Sequence, residues 1–143
     1  MKKYRLGVLE NKEICTELQK VWKDSQPGAS GGHEEGGFIL RKQDDTLVVS
    51  RWPKGELNNI FLPPHQNCKF DNFDILASFH THPNTGSDFF QEPSVTDKRA
   101  IRDDLDLKGE FYEGELVISE EKIYVISPNG HVDEIGERKE LLG

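Results

Sequence analysis

The chain has 143 residues, 34% of them hydrophobic and 31% charged, with a formal net charge of -8. That is enough for one domain with its own core and too little for a barrel hydrolase of about 250 residues. The acidic balance, without clustered Lys and Arg, argues against a general nucleic-acid binder.

No apolar run reaches the length of a membrane span, and the start "MKKYRLGVLENKE" lacks the apolar run and cleavage site of a secretory signal. Cys15 and Cys68 form no CxxC pair, so free or buried thiols are expected. The expectation is one domain over 1–143, cytoplasmic and without a membrane or nucleic-acid partner.

In chain order, "YRLGVLE" (4–10) reads as a short strand, and Asn11 stands where a helix N-cap belongs. Ile14, Leu18, Val21 and Trp22 then repeat at helical spacing, which predicts an amphipathic helix that ends before the breaker-rich "SQPGASGG" (25–32). "HEEGGFILRK" and "TLVVSRW" predict two strands joined through Asp44 and Asp45. The segment 53–72 carries three prolines and reads as irregular, and "FDILASFHTH" (73–82) reads as a central strand that ends in two histidines. "SVTDKRAIRDDLDL" (94–107) predicts a surface helix with a narrow apolar face of Val95, Ala100, Ile101 and Leu105. "ELVIS" and "KIYVIS" predict a hairpin, and the turn "PNG" leads to a last strand at "HVDEI". The sum is an α/β or α+β class: a mixed sheet flanked by helices.

The histidines carry the chemistry. On a strand, residues i and i+2 share a face, so His80 and His82 can aim both rings at one metal ion while Thr81 points away. Asp97, in the first turn of the helix after the loop, is the best third ligand. Three protein ligands leave a fourth tetrahedral position for water, the arrangement of a catalytic zinc site. Glu34 or Glu35, at the start of another strand, offers a carboxylate to act as base, and Ser94 offers a hydroxyl to a developing oxyanion. Each piece also has an ordinary explanation. "SVTD" is a capping box, "EEGG" is common strand-entry chemistry, and an HxH pair can be packing or surface histidine. The three together in this order are harder to explain that way.

"EEGGFIL", "SFHTHP" and "PSVTD" resemble the JAMM metalloprotease family, also called JAB or MPN+, whose pattern is a Glu at a strand start, HS/THP and SxxD. The ExGG at 34–37 looks like its bacterial branch. The resemblance implies a JAB/MPN-like fold, a three-layer arrangement similar to cytidine deaminase, and one Zn2+ per chain. It makes Glu34 the catalytic acid/base, His80, His82 and Asp97 the metal ligands, and Ser94 the oxyanion-stabilising residue, and it gives Glu35 no role. It further implies hydrolysis of a peptide or isopeptide bond in a protein substrate, ubiquitin-like or another small carrier protein. Some members of the fold are metal-free scaffolds, and a hydrolase with this site and a non-ubiquitin substrate is the other alternative. One departure stands out: eleven residues separate His82 from Ser94, more than the family usually has, and Phe90 occupies the usual serine position.

Other zinc patterns fit less well. A metallo-β-lactamase motif needs Asp and His where Asn84 and Thr85 stand, and a zinc deaminase needs a PCxxC pair. His33, His65 with Cys68, and His131 read as loop or surface residues, and Trp22 and Trp52 as core or half-buried aromatics. Phe89 and Phe90 either pack back on the domain or grip a substrate.

Overall fold

The structure, a computed structural model, describes residues 7–28, 32–56, 60–85 and 92–143. The elements are α1 (Lys12–Asp24), β1 (Gly36–Arg41), β2 (Leu47–Arg51), β3 (Lys69–Phe70), β4 (Phe73–Thr81), α2 (Val95–Arg102), β5 (Glu115–Ile118), β6 (Lys122–Ile126), β7 (Val132–Glu137) and α3 (Arg138–Leu142). Among the described residues the class is a mixed α+β fold around one mixed sheet of seven strands. Its order is β2-β1-β4-β5-β6-β7, with β3 pairing onto the beginning of β4. All pairings are antiparallel except β4 with β5, which lie parallel because the chain crosses over through α2 between them.

Helix α1 forms as its spacing predicts. The Asn11 side chain accepts the Ile14 N–H at 3.1 Å, which satisfies one of the donors a helix start leaves open. Ile14, Leu18, Val21 and Trp22 are all buried. Burial stabilises by roughly 1.5–3 kcal/mol per large apolar side chain, so this stripe, rather than intrinsic propensity, holds the helix on the sheet. Leu142 of α3 joins the same cluster, together with Phe79 of β4 and Leu116 and Ile118 of β5. The opposite sheet face packs Phe38, Ile75, Val117 and Ile126 against Ile101 of α2 and Leu107. Helices thus cover both faces, and β4 runs between two cores. No helix among the described residues is long and apolar enough to cross a membrane.

Some expectations need correction. Residues Gly7–Glu10 form a 3-10 turn rather than the end of a strand, since Val8 is buried against α1 instead of joining the sheet, and residues 4–6 lie outside the described segments. Helix α2 stops at Arg102, where Asp103 closes it, and a separate 3-10 turn at Leu105–Leu107 follows. Only Ile101 of α2 is buried; Val95 and Leu105 are 57% and 85% exposed, and Ala100 is exposed too. The anticipated four-residue apolar face is a single anchor, with Leu107 as a second anchor beyond the helix. The terminal α3 was not anticipated. Five residues show too little periodicity to announce a helix, and this one is held by its contacts with α1. Both tryptophans are buried and His131 is exposed, as expected.

Candidate metal centre

Strand β4 ends at Thr81, and His82 lies one residue beyond it, held in line by its backbone N–H, which donates to Ile118 O at 2.8 Å. Strand alternation sends Phe79 and Thr81 toward the α1 face, and Ser78, His80 and His82 toward the other. His80 is 3% exposed.

Ser94 caps α2 by accepting the Asp97 N–H at 3.0 Å, and the Asp97 carboxylate reaches back to accept the Ser94 N–H at 2.8 Å. The capping box is therefore real. The same carboxylate atom, Oδ2, also stands 3.2 Å from His82 Nε2 and 3.5 Å from His80 Nε2, while the two Nε2 atoms are 3.3 Å apart. The ordinary and the functional readings of "SVTD" are thus one geometry: the cap aims the carboxylate at the histidines.

Could these three atoms hold a metal ion? Ligands set tetrahedrally about 2.0–2.1 Å from a zinc-sized ion stand about 3.3–3.4 Å from each other. The three observed edges, 3.2, 3.3 and 3.5 Å, bracket that value. Among the described residues His80, His82 and Asp97 are the one group of at least three His, Cys, Asp or Glu whose ligand atoms converge in this way. Two imidazoles and a carboxylate make a set that suits zinc and similar divalent ions.

Electrostatics follow from burial. Desolvation alone would drive the His80 imidazolium to lose its proton, but the Glu115 and Asp97 carboxylates on either side outweigh it and hold the ring's pKa well above the ordinary histidine value. For Asp97, desolvation pushes upward and is overcome by hydrogen bonds from His80, His82 and Ser94, which hold the acid far below the usual range. Glu34 behaves differently. Burial raises its pKa to about 7; the attraction of His80 opposes that rise, and the repulsion of Asp97 and Glu115 adds to it.

The structure also separates the two glutamates, each 7% exposed. Both precede β1, which begins at Gly36, so neither lies within the strand. Glu35 is engaged on both carboxylate oxygens, by Arg51 and by His33. His33 lies in a loop, as expected, and its ring contacts Glu35 from there. Glu34 is held by its backbone, its N–H donating to Glu56 O at 2.6 Å and its carbonyl accepting from Gly55 at 2.9 Å, while its carboxylate lies in the field of His80 and Asp97.

Thr81, between the two histidines, braces this arrangement. Its N–H donates to Glu35 O at 2.9 Å, and its hydroxyl accepts the Glu35 N–H at 3.0 Å. The Ser25 hydroxyl, 2.6 Å from that of Thr81, reaches the Val21 carbonyl at 3.1 Å, tying the glutamate segment to the end of α1.

The glycines of "EEGG" have a steric reason. Gly36 pairs with His80 and Gly37 with Phe79. A Cβ on Gly36 would sit 2.5 Å from the Trp52 ring and 2.8 Å from the Phe79 carbonyl; one on Gly37 would sit 2.6 Å from the Ser50 carbonyl. We expect Gly36→Ala to destabilise the protein by about 1–3 kcal/mol, as overpacking generally does, read as a lower urea midpoint at unchanged slope.

Sequence reasoning missed Glu115, whose Oε2 lies 2.9 Å from His80 Nδ1. An acidic residue opening an apolar strand is an ordinary sight, and only the parallel register of β5 on β4 reveals its partner. His65, read as a plain loop residue, pairs with Asp104 at 2.8 Å, and Cys68 is buried. Phe89 and Phe90 lie outside the described residues.

Comparison with models of known protein families finds no match, and neither does comparison with curated proteins or with solved structures.

Proposed function

We propose that this protein is a zinc-dependent peptidase or isopeptidase of the JAMM type, with a JAB/MPN-like fold, acting on a protein substrate that is ubiquitin-like or another small carrier protein. The observation that carries this reading is the convergence of His80 Nε2, His82 Nε2 and Asp97 Oδ2 at tetrahedral spacing, with the buried Glu34 in the field of His80 and Asp97. The motif resemblance adds the reaction class.

His80, His82 and Asp97 would hold one Zn2+. When bound, the ion supplies Lewis acidity, which polarises a scissile carbonyl and makes water nucleophilic at neutral pH. Glu34 takes the proton that the attacking water loses as its oxygen bonds to the carbonyl carbon, and gives it to the departing amine nitrogen as the C–N bond breaks. A pKa of about 7 suits a group that must both accept and release a proton near neutrality. The Ser94 oxygen accepts the Asp97 N–H, which leaves its own proton to donate to the oxyanion. Proteins bearing flexible C-terminal tails fit the reading, since such a tail can lie extended along a sheet edge.

Elemental analysis of the purified chain, followed by incubation with a panel of ubiquitin-like fusions with and without chelator, tests the proposal. One zinc per chain and chelator-sensitive cleavage of at least one fusion are expected. A chain that takes up no zinc even when it is added would leave the scaffold alternative. Zinc uptake with no cleavage across the panel would overturn the substrate class while leaving the metal centre.

A further inference from the structure

We propose that Glu115 is the positioning residue of this centre, fixing the orientation and tautomer of His80 and so setting the affinity for the metal. The inference rests on the metal-centre reading above and extends it to a residue outside the motif. Glu115 opens β5 and pairs in register with Ser78, while His80 pairs with Val117 two positions on. Strand alternation therefore puts Ser78, Glu115 and His80 on one face. Glu115 and His80 are each 3% exposed, and Glu115 Oε2 meets His80 Nδ1 at 2.9 Å.

An ionised carboxylate can only accept, so the proton of a neutral His80 is drawn to Nδ1 and the lone pair is left on Nε2. Nε2 is the atom that faces His82 and Asp97. The other tautomer would put a proton where a metal has to bind. The carboxylate also makes Nε2 a stronger donor, as outer partners of metal-bound histidines do.

Stability does not account for the residue. Glu115 Oε1 is buried without a hydrogen-bond partner, and a buried ion pair is weak evidence for stability because desolvation offsets its attraction. The neighbouring polar pair on the same face, Ser78 and Tyr112, is closed on itself at 2.6 Å. An apolar residue at 115 would leave the His80 ring without its partner at Nδ1.

Zn2+ affinity measured by chelator competition on the full chain tests this. Glu115→Gln, which keeps an acceptor but no charge, is expected to lose about tenfold, and Glu115→Leu about 100-fold. Ser78→Ala, which breaks the neighbouring bond, is expected to match the parent within about twofold, because it touches no ligand. In zinc-loaded protein carrying 15N-histidine, the His80 Nδ1 proton should be protected from solvent exchange in the parent and Ser78→Ala, and lose that protection in Glu115→Leu. Packing alone would not move that signal selectively. If Leu proves unable to fold, Gln carries the comparison. Parent-like affinity and a protected proton in the Glu115 variants would overturn the inference while leaving the metal centre intact. A parent that takes up no zinc overturns the metal-centre reading and this inference with it.

Discussion

Asp97→Asn is expected to cut zinc affinity by more than the roughly 10–100-fold typical of partners outside the ligand set, while α2 keeps its cap. Asp97 Oδ2 accepts the Ser94 N–H and at the same time faces both imidazoles. An Asn side chain retains an oxygen for the Ser94 N–H, but the anionic ligand is gone, and a neutral amide is a poor substitute in a histidine and carboxylate set. Asp97→Ala removes the ligand and the reciprocal half of the capping box, while the Ser94 hydroxyl still accepts the backbone N–H of residue 97. Both variants lose the attraction between the carboxylate and a charged His80, so the stability difference between Ala and Asn isolates the side-chain bond to the Ser94 N–H, at about 1 kcal/mol. Chelator competition and urea denaturation of the metal-free proteins check the two effects separately. Parent-like zinc affinity in the Asn variant would remove Asp97 from the ligand set.

This double use explains why "SVTD" could be read two ways from sequence. The capping pattern and the ligand pattern ask for the same residues at the same spacing, and the structure forms the capping box while bringing Asp97 together with His80 and His82 in a group that could hold a metal ion. The histidines were legible because period-two alternation is local: given a strand, His80 and His82 must share a face. The elements themselves were largely legible for the same reason, α1 from its apolar stripe and its Asn11 cap, and β4 from its continuous apolar run.

What stayed hidden depends on non-local register. Glu115 meets His80 only because β5 lies parallel to β4 after a crossover, and Trp52 covers Gly36 only because β2 folds back on β1. Between Glu34 and Glu35 the sequence offered only the motif resemblance, which favours Glu34, and not the contacts of either carboxylate. Neighbouring residues of like type are separated by their partners, and the Arg51 and His33 contacts that engage Glu35 come from burial geometry.

Glu34→Gln should cut the proposed turnover by about 10²–10⁴-fold and, in the metal-free protein, stabilise the fold. The loss of activity follows from removing the only proton carrier assigned to the reaction. The gain in stability follows from burial. Glu34 has a folded pKa of about 7 against 4.5 for an ordinary glutamate, so the folded state favours its protonated form. Its ionisation therefore costs nothing below pH 4.5, costs progressively more as pH rises from 4.5 to 7, and costs a constant amount above that. The full cost is on the order of 3 kcal/mol. Denaturation midpoints of the two metal-free proteins should coincide near pH 4 and separate toward pH 8, with Glu34→Gln the more stable. Zinc should narrow the gap, because a dication beside the carboxylate favours its charged form. A buried carboxylate that weakens the metal-free fold near neutral pH fits the base that the proposed reaction needs, its cost reduced when a dication fills the site. Equal stability of the two proteins across this range would mean that Glu34 sits in water, and it would then lose its claim to be the base.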